Sequence, residues 1–109
     1  MLTKSIERLE ETLDAETAAL LEHRLEDQEE FNRRKSQSLL ELTRLVRTVK
    51  TDSISPEVVA RLQKLRQKLE YNHSVVEMNL RAVQEVSDIV SKAIQNAESD
   101  GTYSALSPY

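Results

Sequence analysis

Cysteine and tryptophan are absent from this chain, glycine occurs once, proline twice, and aromatic residues make up 4% of the sequence. Without cysteine there is neither a disulfide framework nor a thiolate metal site. With so little glycine and proline, the turns of a β-rich fold have few residues to form them, and little is left to interrupt a helix. A length of 109 residues with 31% charged residues supports a thin core and one domain at most. No apolar run approaches the roughly 20 residues of a membrane span, and the first twenty residues alternate charge with Leu instead of forming the apolar centre of a signal peptide. These absences predict a soluble, cytoplasmic chain with no membrane insertion.

The residues in abundance are Leu, Glu, Arg, Lys, Gln and Ala, all good helix formers, so the expected fold class is all-α. From Leu2 the apolar residues Ile6, Leu9, Leu13, Leu20, Leu21, Leu25, Phe31, Leu39, Leu42, Leu45, Val46 and Val49 recur at helical steps. The spacing slips between Leu13 and Leu21 as a stutter would, and only Phe31 is apolar between Glu26 and Ser38, so a bend or break is expected there. The clearest punctuation is KTDSISPEVV, with Ser55 as N-cap, Pro56 as first helical residue and Glu57 beside the positive helix start. Helix 1 is therefore expected over about 2–50, a connection near 51–55, and helix 2 over about 56–99. The lone glycine, Gly101, predicts the helix stop and a flexible tail over 101–109.

Helix 2 carries the most regular pattern: Leu62, Leu65, Leu69, Asn72, Val76, Asn79, Val83, Val86, Val90, Ala93 and Ala97 alternate steps of three and four. Two helices of such length joined by a short loop predict a long antiparallel hairpin or coiled coil. The alternative is a three- or four-helix bundle, reached through a break in helix 1 or through dimerisation. In the hairpin register Asn72 and Asn79 face residues 27–35, with Gln28, Asn32 and Lys35 as amide partners. Polar seam residues fix register at a cost in stability, so replacing both asparagines with Leu is expected to raise thermal stability.

Apolar residues between Val75 and Ile94 occupy more than one narrow stripe. A third helical surface is implied: a folded-back part of helix 1, a second copy in a homodimer, or a partner's helix laid in a groove. Residues 33–68 hold ten of the fifteen Lys and Arg but three of the nineteen acids, a net +7 against −11 elsewhere. Such polarity steers an acidic partner to the loop end, or simply solvates the surface.

No phosphate loop, metal-spaced histidine cluster or nucleophilic triad is present, so no catalytic residue, metal or cofactor is expected and the chain is not read as an enzyme. Histidine phosphotransfer at His73 is a remote alternative, because Val76 and Glu77 stand where such domains place Lys and Gly. Nucleic-acid binding is disfavoured by the net charge of −4 and by basic residues with no aromatics among them.

Three segments in order resemble the FlgN-type flagellar export chaperones: RRKSQSLLELTRL from Arg33 to Leu45, the Asn72 and Asn79 stretch running into AVQEV, and the tail SDGTYSAL. The match spans about residues 30–106, and departs from the family pattern in placing Asp100 and Gly101 ahead of Tyr103. The resemblance implies a small helical chaperone of type III secretion. It would bind terminal helices of hook-filament junction proteins, prevent their premature association and deliver them to the export gate. Val75, Met78, Leu80, Val83, Val86, Val90 and Ile94 are the expected client-binding residues by helical spacing. Tyr103 matches the family's tail tyrosine, which implies a gate contact; the competing reading is a ring tucked onto helix 2. The rival to the whole assignment is a coiled-coil structural or adaptor module that acts through oligomerisation.

Overall fold

The structure is a computed structural model, describing the backbone of residues 1–49 and 54–106 and the side chains of 1–49 and 54–99. Its elements are α1 (Leu2–Leu21), α2 (Gln28–Thr48) and α3 (Pro56–Leu106), with no strand among the described residues. The fold is all-α, and helix 1 of the sequence reading is two helices. Their separation lies at residues 22–27, ahead of most of the apolar-poor stretch, which is itself helical. Two compact units follow, Met1–Val76 and Glu77–Tyr109.

The break has a defined local cause. His23 takes φ 60, the left-handed region, and its N–H donates to the Leu20 carbonyl at 3.1 Å while the Arg24 N–H donates to Ala19 at 2.8 Å. That pair of bonds is the Schellman termination, which satisfies the last carbonyls of α1. A glycine ordinarily marks it; histidine is among the side chains that tolerate this region. Glu29 and Glu30 then sit in the first turn of α2, where carboxylates complement the helix start. Arg33 and Arg34, three and four residues on, both pair with Glu30. The hydrogen bonds from Arg33, then Arg34, hold the Glu30 carboxyl down at about 2.

In the first unit the pairings fix directions. Arg8 reaches Glu41, and Glu16 reaches Lys35, so α1 and α2 run antiparallel. Arg61 and Lys68 reach Glu10, and Asn72 reaches Glu16 and Thr17, so α1 runs alongside α3 in the same sense. The core is Ile6, Leu9, Leu13, Leu42 and Leu65, with Leu2, Leu62 and Leu69 packed against it. This is the three-helix alternative, reached through the break in helix 1, with α1 folded back by the turn at His23. The α1 partners in α3 lie between Arg61 and Asn72, so the apolar residues from Met78 to Ile94 that implied a third surface stay exposed.

The start of α3 is as the sequence predicts. Ser55 Oγ accepts from the Val58 N–H at 3.2 Å, the N-cap bond expected one residue ahead of Pro56. Of the connection expected over 51–55, only Ile54 and Ser55 lie within the described residues. The far end differs from expectation. The backbone of α3 continues through Gly101 to Leu106, and no glycine has positive φ. Glycine permits a left-handed stop without imposing one, and inside a helix it costs only about 1 kcal/mol relative to alanine. The tail predicted over 101–109 is thus helical as far as Leu106, and residues 107–109 lie outside the described residues. Among the described residues no helix is long and apolar enough to cross a membrane.

Glu10 clamps α1 to α3. Its carboxylate is largely buried and accepts from Arg61 at 3.1 Å and Lys68 at 3.2 Å. Burial raises its pKa, but the hydrogen bonds from Arg61 and Lys68, reinforced by their charges, outweigh burial and bring it below the ordinary 4.5. A lowered carboxyl pKa contributes stability that is present above the unfolded value and lost as pH falls through the folded one. Urea midpoints of the wild type should therefore fall more steeply below the ordinary 4.5 than those of Glu10→Gln. Parallel profiles would show that the clamp contributes nothing.

Candidate partner-binding surface

The second unit exposes what the first one buries. In α3 every described side chain from Arg81 to Ser99 is exposed. Met78, Leu80, Val83, Val86, Ile89, Val90 and Ile94 are each between 49% and 67% exposed. Side chains of this size are normally found inside, and a contiguous set of them on a surface marks an interaction site. Six of the seven residues predicted to bind a client are among them. Val75 is the exception: only 6% exposed, it belongs to the first unit and is not available to a partner. Ile89, which the prediction left out, is the most exposed of the seven exposed residues at 67%.

The two seam asparagines separate. Asn79 is half-buried. Asn72 is buried and central to a polar cluster that joins all three helices. Its amide Nδ2 donates to Glu16 Oε1 at 2.9 Å and Thr17 Oγ1 at 3.0 Å, and lies 3.5 Å from the Leu13 carbonyl. Its carbonyl Oδ1 accepts from Lys35 at 3.4 Å. Lys35 also donates to Glu16 Oε1 at 2.6 Å. Of the three partners the hairpin register offered Asn72, Lys35 is the one it bonds, and Glu16 and Thr17 come from the helix whose return the register did not include. The other Glu16 oxygen, Oε2, is buried without a hydrogen-bond partner among the described residues.

Glu16 escaped the sequence reading although its signal was present. Ile6, Leu9, Leu13, Glu16 and Leu20 alternate steps of three and four. The apparent stutter is a continuous seam with one carboxylate in it, and all five residues are buried. Beside this cluster a shallow cleft of about 360 Å³ is lined by Asn32, Lys35, Ser36, Leu39, Leu69, Asn72, His73 and Val76. Among the described residues no group of three His, Cys, Asp or Glu is placed to hold a metal ion. The side chain of Tyr103 lies outside the described residues; its backbone stands within α3.

Comparison with family models, with curated proteins and with solved structures finds no match.

Proposed function

We propose that this chain is a cytoplasmic export chaperone of the FlgN type, which sequesters amphipathic terminal helices of hook-filament junction proteins and presents them to a type III export gate. The observation that carries this reading is the exposed apolar face of α3 from Met78 to Ile94, attached in sequence to a separately packed three-helix unit. An unassembled amphipathic segment needs apolar cover that the carrier can release, and a helix face offers it through side chains at three- and four-residue spacing. Met78 adds an unbranched, adaptable contact suited to clients of differing sequence. The segmental resemblance over residues 30–106 supports the choice of client class, and Tyr103 is assigned the gate contact by the same resemblance.

The test is titration calorimetry of the full chain with peptides spanning the C-terminal helices of hook-filament junction proteins. Binding is expected, and Val83→Asp together with Val90→Asp should weaken it by at least about thirtyfold, roughly 2 kcal/mol, with thermal unfolding of the first unit unchanged. Failure of every such peptide to bind would refute the reading. So would a tight dimer in sedimentation that the two substitutions dissolve while peptide affinity stays the same; that result belongs to the oligomerising adaptor.

A further inference from the structure

The apolar face of the second unit is too wide for one partner helix. Along residues 77–99 the seam is Asn79, Val83, Val86, Val90, Ala93 and Ala97. In a two-stranded coiled coil the positions flanking such a seam carry Glu and Lys, which pair across it and set the partner. Here the flanks are uncharged and mostly apolar: Leu80 and Ile94, with Ser87 between them, on one side, and Ala82 and Ile89, followed by Asn96, on the other. The four apolar ones are all exposed. The charged residues Glu77, Arg81, Glu85, Asp88, Lys92 and Glu98 all fall on the three remaining heptad positions. At 100° per residue, seam and flanks together cover an arc of roughly 160°, against the 100° or so that core-facing helices commonly bury. A single helix laid on the seam leaves one flank or the other in water.

The charge of the segment narrows the occupant further. Residues 77–100 carry five acids and two bases, so copies of this chain brought together here would add like charge with no flanking ion pairs to offset it. A partner with basic residues beside its apolar stripe meets complementary charge instead.

We infer that the second unit binds two amphipathic helices of one partner chain at once, each flanked by Lys or Arg, and completes a three-helix bundle with them. This deepens the client-binding reading and rests on it: it specifies that the client is held as a helical pair. Each flank of α3 then meets its own partner helix, and the seam lies between the two.

The experiment uses the full chain and three designed probes: a single amphipathic helix with Leu seam and Lys flanks, a hairpin of two such helices, and the same hairpin with Glu flanks. The Lys-flanked hairpin should bind one to one and at least about tenfold more tightly than the single helix. The Glu-flanked hairpin should bind more weakly, by a margin that shrinks as salt is raised. Leu80→Ser and Ile89→Ser, on opposite flanks, should each weaken hairpin binding at least about fivefold with thermal unfolding unchanged. Equal affinity for the single helix, or indifference of the hairpin to either flank substitution, would overturn the inference while leaving a one-helix client surface intact. Binding of no probe would overturn the client reading as well.

Discussion

Replacing Lys35 with methionine should destabilise the three-helix unit by about 3–5 kcal/mol, the usual cost of removing one partner from a buried ion pair. Methionine keeps most of the apolar stem and removes the charge. Glu16, whose side chain is 1% exposed, would then keep an amide hydrogen bond from Asn72 but no counter-charge, while its second oxygen already lacks a partner among the described residues. The loss is large on the scale of the unit: Met1–Val76, at roughly 0.05–0.15 kcal/mol per residue, has about 4–11 kcal/mol in total. Urea unfolding followed by circular dichroism measures it. Glu16→Leu combined with Lys35→Leu should recover about half or more of the deficit, because apolar replacement of a buried pair is often neutral or stabilising. A Lys35→Met variant within about 0.5 kcal/mol of wild type would show that Glu16 is solvated in solution.

Asn72→Leu should cost about 2–3 kcal/mol, since it removes the amide donor to Glu16 and Thr17 and the acceptor for Lys35 from a buried site. That reverses the expectation from the seam pattern, in which two polar interruptions were equivalent and their replacement by leucine stabilising. They are not equivalent. Asn79, half-buried in the second unit, should accept leucine within about 0.5 kcal/mol. Measuring the two single variants separately distinguishes these cases, and equal effects would return both asparagines to the role of simple seam interruptions.

The asparagines show how far the pattern could be read. Heptad spacing placed Asn72 on the inner face of α3 and the antiparallel register brought Lys35 opposite it, both by local arithmetic. Neither could supply Glu16 and Thr17, because those arrive only when α1 folds back. That return depends on His23 holding a left-handed conformation, and a histidine carries no signal comparable to a glycine. Conversely, Gly101 carried the signal for a stop that the backbone does not take. The client residues fared similarly. Spacing grouped Val75 with Met78 and Leu80, and only the packing of the first unit separated the buried one from the exposed ones.

By itself, then, the sequence determined the helical class, the cap at Ser55, the start of α3 at Pro56 and the inward-facing positions of that helix from Leu62 to Asn72. All of these follow from hydrogen bonds and spacings within a few residues of one another. Tertiary structure decided where helix 1 divides, that a carboxylate rather than a stutter interrupts the seam of α1, which asparagine is buried, and which part of the apolar face stays exposed. A buried charge or amide is tolerable only with partners from other helices, so its position is a property of neighbours in space, which one strand of periodicity does not encode.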